Sequence, residues 1–374
     1  MNMKREYHFI KEIREQPERL RETLLELDPQ IKKIAEKYHD KVDRIIMTGC
    51  GDPYLLGLGA VYAFENWAKI PAASIEAAEL SMYRNDLINE KSLVILISSS
   101  GKTIKVIDSA AAAKKANAPN FALVNLAPSS LTEQVDEYLQ TKAGWSDSFP
   151  TKQTTTALAV LLALALHWAA FSGMLSKEKI DLFRDELYNG VPEMMGKCLE
   201  LEEEIRKLSE EHLDAPIYTF IGSGPNLCTA LLSAAKMKET SQSRSEACNL
   251  EEYAHLYGLS LKPNDPVFLL TYPGSIGKAG YDLSKRILVN EGRLIVVGPE
   301  SEYHNWQNVK CRYFSVPDHT EIFAPLISWI PLQLFAYFTS INKGRNPDKP
   351  IDHKDILEES YDIYTSPLEG WDER

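Results

Sequence analysis

The sequence predicts an α/β protein laid out twice along one chain, as two successive domains that each hold a parallel sheet flanked by helices. Three observations carry this. The length, 374 residues, exceeds one ordinary core, because domains run about 100 to 200 residues. Short apolar runs of strand type alternate with longer helical segments, the pattern of a parallel sheet covered on both faces. The unit strand, glycine turn, helix occurs at Ile45–Trp67 and again at Pro216–Lys238, with a similar element order after each. Such self-similarity implies duplication of a whole domain.

The elements follow in order. In residues 1–40, Ile10, Ile13, Leu20, Leu24 and Leu27 recur at helical spacing, with Ile31 and Ile34 beyond Pro29; one or two amphipathic helices are predicted. The first domain, 41–175, begins with the strand Ile45–Thr48, the turn Gly49-Cys50-Gly51 and a helix from Tyr54 to Trp67. Strands are predicted at Ala73–Glu76, Ser92–Ile97, Phe121–Asn125 and Glu137–Thr141, with a helix ending near Ala116. The apolar run Ala157–Phe171 contains His167 and Trp168 and is shorter than the roughly 18 to 20 residues of a membrane span, so it is read as a buried core helix. A charged helical connector, 176–213, leads to the second domain, 214–342, with strands at Pro216–Ile221, Val267–Tyr272, Leu294–Val297 and Tyr313–Val316. The tail, 343–374, reads as irregular, ending in a short helix.

Composition narrows the function classes. With 44% hydrophobic and 25% charged residues the chain has material for a sizeable core. A formal charge of −12 argues against nucleic-acid or anionic-membrane binding, both of which need a basic surface. Cys50, Cys198, Cys228, Cys248 and Cys311 are odd in number and lack CxxC spacing, so neither a zinc site nor a disulfide frame is expected. The charged first 21 residues lack the apolar region of a signal peptide, and a cytoplasmic location is expected.

One run carries chemistry by its residue types. Ser98-Ser99-Ser100-Gly101-Lys102-Thr103 places hydroxyls and a glycine where a strand meets a helix. Helix N-termini present unpaired N–H groups and a dipole that favours an anion. Plain N-capping by Ser or Thr explains the same residues. The GxxxxGK[ST] spacing of a P-loop is absent, and neither Gly49-Cys50-Gly51 nor Gly222-Ser223-Gly224 has the third glycine of a dinucleotide fingerprint.

Taken together, Lys11–Pro17, Gly49-Cys50-Gly51, Ile97–Thr103, Pro150–Thr156, Lys236–Glu239 and His255 resemble the sugar isomerase (SIS) family, and within it the isomerase half of glucosamine-6-phosphate synthase. The resemblance runs in order along almost the whole chain. It implies tandem SIS domains, each a five-stranded parallel sheet, forming a homodimer that binds a sugar phosphate at the C-terminal ends of the strands. It implies a phosphate loop at Ser98, Ser99, Ser100 and Thr103, with Gly51, Asp52, Lys102, Thr151 and Lys236 around the substrate. It also implies a carboxylate base at Glu239 and a histidine at His255, sixteen residues later, that reaches the partner subunit's site. No metal and no cofactor are implied.

The departures from the family pattern are informative. Asp52-Pro53 stands where members commonly hold phosphate with a serine, and Lys102 replaces a glutamate. Pro150 replaces a serine that contacts sugar. Lys354 is one position short of the family's imine-forming lysine. The synthase's glutamine-hydrolysing half has no counterpart, so ammonia delivery is not expected. An anion other than phosphate, such as a sulfonate on carbon 6, fits these changes.

Three functions follow as expectations. The first is an aldose–ketose isomerase for an anionic hexose, moving a proton between C1 and C2. The second is a deglycase or deaminase of an amino sugar phosphate, using the same base. The third is a non-catalytic sugar-phosphate sensor, for which the N-terminus offers no basic helix-turn-helix.

Overall fold

The computed structural model describes residues 6–146 and 148–349. The first half forms one sheet from β1 (Arg44–Gly49), β2 (Ala72–Glu76), β3 (Ser92–Ser98), β4 (Asn120–Val124) and β5 (Tyr138–Gln140). The second forms another from β6 (Tyr218–Ile221), β7 (Ser245–Cys248), β8 (Pro266–Leu270), β9 (Arg293–Pro299) and β10 (Cys311–Val316). Their orders are β2-β1-β3-β4-β5 and β7-β6-β8-β9-β10, and every pairing is parallel. The two sheets therefore share one topology, as the repeated sequence pattern predicts. β7 is absent from that reading, because Ser-Glu-Ala-Cys is short and not apolar. It is a strand through its pairing with β6, Tyr218 opposite Ser245.

The N-terminal segment is one helix, α1 (His8–Tyr38), which continues through Pro17 and Pro29. Its stripe of Phe9, Ile13, Leu20, Leu24 and Ile31 is fully buried, and it packs along α4 (Lys152–Phe171). That burial offsets the backbone bonds the prolines remove. Between the two lies Asp28, whose carboxylate accepts from His167 Nε2 at 2.8 Å, Tyr188 Oη at 2.5 Å and Arg184 Nη2 at 2.7 Å. Burial opposes ionisation there, but His167 and Tyr188 overcome it and hold the Asp28 carboxyl well below its ordinary value.

At 20 residues, α4 is longer than the apolar run suggests and has the length and hydropathy of a membrane span, as does Glu321–Asn342; 89% of each apolar window is buried within the protein. The sequence reading of Ala157–Phe171 as a core helix stands, but for burial rather than for shortness.

In each half a glycine turn leads from the first strand into a helix, α2 (Asp52–Ala63) after β1. Helix α3 (Ile104–Lys115) follows β3, and the connector holds α5 (Lys177–Asp185), α6 (Val191–Leu199) and α7 (Glu202–Glu211). The counterpart of α2 in the second half is α8 (Asn226–Ser241). The two pack against each other, and Gly59 of α2 comes so close that a Cβ there would lie 3.1 Å from Cys228 Cβ. At the other end of the crossing Asp52 meets Lys236. These two contacts make α2 and α8 antiparallel. The start of α2 is thereby set beside the last turns of α8.

Candidate active site

The crossing of α2 and α8 buries a chain of charges. Lys236 is fully buried; its Nζ lies 2.8 Å from Asp52 Oδ2 and 2.6 Å from Glu239 Oε2. Thr154, in the first turn of α4, donates to the same Asp52 oxygen at 2.8 Å. Three elements from both halves converge here, and two carboxyl groups share one lysine. The sequence pairs Lys236 with Glu239 by their i, i+3 spacing, but it does not show that Asp52 shares the lysine. Burial lowers the Lys236 pKa, and the two carboxylates overcome this, leaving it above its ordinary value. It is an ammonium.

Glu239 differs from its neighbours in keeping 29% of its side chain open. Its carboxyl is pushed above the usual carboxylate value by burial first; Lys236 opposes the rise and Asp52 adds to it. Its place in the last turn of α8 acts in the same direction, because a helix C-terminus disfavours an anion. A carboxylate with raised basicity and an open face is suited to taking a proton from carbon.

The loop Ser98–Thr103 joins β3 to α3. Ser98 Oγ is 2.9 Å from Thr103 Oγ1 and accepts from Gly101 N at 3.1 Å, while Ser100 Oγ accepts from Lys102 N at 3.2 Å. Ser98 is buried and Thr103 half-buried, so this pair closes the loop; Ser100 and Lys102 are exposed and Ser99 half-buried. Gly101 has φ of +64°, and a Cβ there would sit 2.0 Å from Ser129 Oγ. Glycine is required on both counts. Thr103 is the N-cap of α3 without a side-chain cap bond, which leaves the first-turn N–H groups as donors for an anion.

The loop and the charge chain adjoin. Ser99 and Thr154 line one small cavity with Pro53, Asn125, Thr141 and Gln153, and Thr154 continues to Asp52. Gly51 is the N-cap of α2, at φ +63°. Thr151, fully buried, caps α4, and its Oγ1 is 3.5 Å from Glu12 Oε2. The sequence alone does not single out Thr154 or Glu12 as site residues, although the threonine run that opens an otherwise apolar helix is a signal for the first.

His255 is not brought to Glu239 within the chain. It ends the short helix α9 (Leu250–His255), its side chain is 80% exposed, and its nearest ion partner is Glu251 Oε2 at 3.6 Å. Lys354 lies outside the described residues. The last described stretch is tied down where Asp348 accepts from His8 N at 2.9 Å and Phe9 N at 2.8 Å, capping α1. Among the described residues no group of three or more His, Cys, Asp or Glu could hold a metal ion.

Comparison with known proteins agrees with this fold. Residues 39–167 match the SIS domain family. The chain is 31% identical over 353 residues to an isomerizing glutamine–fructose-6-phosphate aminotransferase of Clostridium tetani, an alignment covering 92% of this chain and 57% of that protein. The chain thus spans a little over half the length of the curated relatives it matches. Among solved structures, the C-terminal domain of glucosamine-fructose-6-phosphate aminotransferase from Francisella tularensis superposes with a TM-score of 0.87 at 28% identity, covering 94% of this chain and 99% of that one. Tagatose-6-phosphate ketose/aldose isomerase from Escherichia coli shares the fold, with a TM-score of 0.77 at 18% identity over 92% and 95% of the two chains. With its first sheet matched by sequence and both sheets by superposition, the chain belongs to the SIS domain family.

Proposed function

We propose that this protein is an aldose–ketose isomerase acting on a hexose that bears a phosphate or sulfonate at carbon 6, with each half of the chain a SIS domain. The observation that carries the proposal is the Asp52–Lys236–Glu239 chain beside the Ser98–Thr103 loop. A hexose that puts its anion on the loop extends its carbonyl end toward Glu239. The carboxylate takes the proton from C2 of the aldose and returns one to C1, while the hydroxyl proton passes from O2 to O1 and leaves the ketone at C2. Lys236 sits beside the base as an ammonium, where negative charge develops on the enediolate oxygens. Asp52 fixes Lys236 in that place. The names of the relatives, isomerizing aminotransferases above all, support the sugar phosphate class.

The loop assignment is tested by replacing Ser100 and Thr103 together with Ala. Each hydrogen bond to a charged group contributes about 1.5–3 kcal/mol. KM should therefore rise by about tenfold or more while the fold is kept. An unchanged KM puts the anion elsewhere.

Asp52→Asn separates electrostatics from shape, since Asn keeps an acceptor for Thr154. Glu239 works as a base only above its own pKa, so its titration is the acid limb of the pH–rate profile. Asp52 raises that pKa, as does burial, while Lys236 and Lys238 lower it. Removing the Asp52 charge must shift the acid limb to lower pH and reduce the plateau, because the base is weaker. A profile that keeps both limbs limits Asp52 to a structural role.

We further propose that the active form is a homodimer in which His255 of the partner subunit assists ring opening. The exposed His255 side chain, beside Leu256 and Leu259 at 60% and 71% exposure, supports this. Inactive Glu239→Gln and His255→Ala proteins, unfolded and refolded together, would form heterodimers with one intact site. Roughly a quarter of the wild-type activity should return. No recovery places both residues in one subunit's site or removes His255 from the reaction.

A further inference from the structure

A second cleft opens at the N-terminal ends of strands of the second sheet. It has a volume of about 600 Å³ and lies where β8, β9 and β10 begin, below the C-terminal end of α7. None of the residues that line the cleft is among those of the candidate active site, whose Ser98–Thr103 loop and Asp52 follow strands of the first sheet. The cleft is lined by Arg293, Lys310 and Arg312, by His212 and Asn264, and on its acidic side by Glu211 and Glu291. Three cations against two carboxylates give local positive charge in a protein of formal charge −12.

The cationic groups are held but not neutralised. Arg293 Nε donates to Asn264 Oδ1 at 3.2 Å, which orients the guanidinium and leaves its terminal nitrogens without a partner among the described residues. Arg312 reaches Glu211 only at 3.5 Å. Lys310 has no ion pair among the described residues. His212 is 6% exposed, and its ring nitrogens have no hydrogen-bond partner among the described residues. Its pKa is pushed down to about 4, by burial first and then by Arg293 and Arg312. At neutral pH it is an uncharged imidazole with a donor and an acceptor both unused.

We propose that this cleft is a binding site for a small polyanion, a phosphorylated metabolite carrying at least two phosphate charges. Its volume falls in the range of small-molecule sites, about 300–1,000 Å³. Two guanidinium forks match phosphate oxygens in pairs, Lys310 adds a point charge, and His212 is free to bond an ester or phosphate oxygen. The site is independent of the proposed isomerase reaction, and none of its residues belongs to that machinery.

The test is calorimetric titration of the full chain with pyrophosphate and, separately, with ATP. Saturable binding is expected, weakened about tenfold or more in Arg293→Gln/Arg312→Gln, since each loses a charge-assisted bond. Both arginines are exposed, so the variant should fold, which circular dichroism checks. Ser100→Ala/Thr103→Ala should bind these probes as the wild type does. Tighter binding of ATP than of pyrophosphate means that the nucleoside also fills the cleft. Absence of saturable binding by either probe, or equal affinity in the double arginine variant, overturns the proposal.

Discussion

Glu239→Gln is expected to abolish most turnover while leaving substrate bound. The amide keeps the shape of the side chain and still accepts from Lys236 at the position where the carboxylate does, at 2.6 Å, but it has no basicity. General base catalysis supplies about 10²–10⁴-fold, so kcat should fall by at least about 10²-fold with KM little changed. Steady-state kinetics on hexose 6-phosphates and 6-sulfonates, with binding followed by titration, separates the two effects. Comparable kcat in the folded variant reduces Glu239 to the anionic partner of a buried lysine.

Lys236→Met carries the largest expected cost in stability. It leaves the Asp52 carboxylate, 7% exposed, without its cation and facing that of Glu239. Removing one partner of a buried ion pair costs about 3–5 kcal/mol, whereas replacing the pair by neutral groups is often nearly neutral. The single variant should therefore show a clearly lowered urea midpoint, and Asp52→Asn/Lys236→Met should recover most of the loss. Additive effects in the double variant would mean that Lys236 does not hold the two halves through Asp52.

Much of the fold is legible in the sequence because its signals are local. The apolar runs of β1 and β3 are buried along nearly their whole length, and the glycine turn after β1 recurs after β6, so strand, turn and helix can be read twice. β7 escapes because its strand character comes from its neighbour β6 rather than from its own residues. Pro17 and Pro29 divide α1 in the sequence, yet the buried stripe beneath them keeps it whole. Asp52 and Lys236 show the same limit at the site. They are far apart in the chain, and only the antiparallel crossing of α2 and α8 makes them a pair. Ser98 and Thr103, read as anion ligands from their types, also bond each other, a contact the sequence does not show, while Ser100 and Lys102 are exposed. His255 is marked in the sequence only by the resemblance to the SIS family, and its surroundings depend on what covers an exposed helix end.

The most direct test of the proton-transfer mechanism is the fate of a deuterium at C2 of the aldose substrate, followed by NMR as the protein converts 6-phosphate and 6-sulfonate hexoses. Transfer between C1 and C2 through Glu239 predicts a ketose product whose label has moved to C1 or been lost to water, with a primary isotope effect on turnover and no such movement in Glu239→Gln. Label leaving C2 at the wild-type rate in the folded Glu239→Gln protein, or release of an amine from an amino sugar phosphate with no aldose conversion, would contradict it.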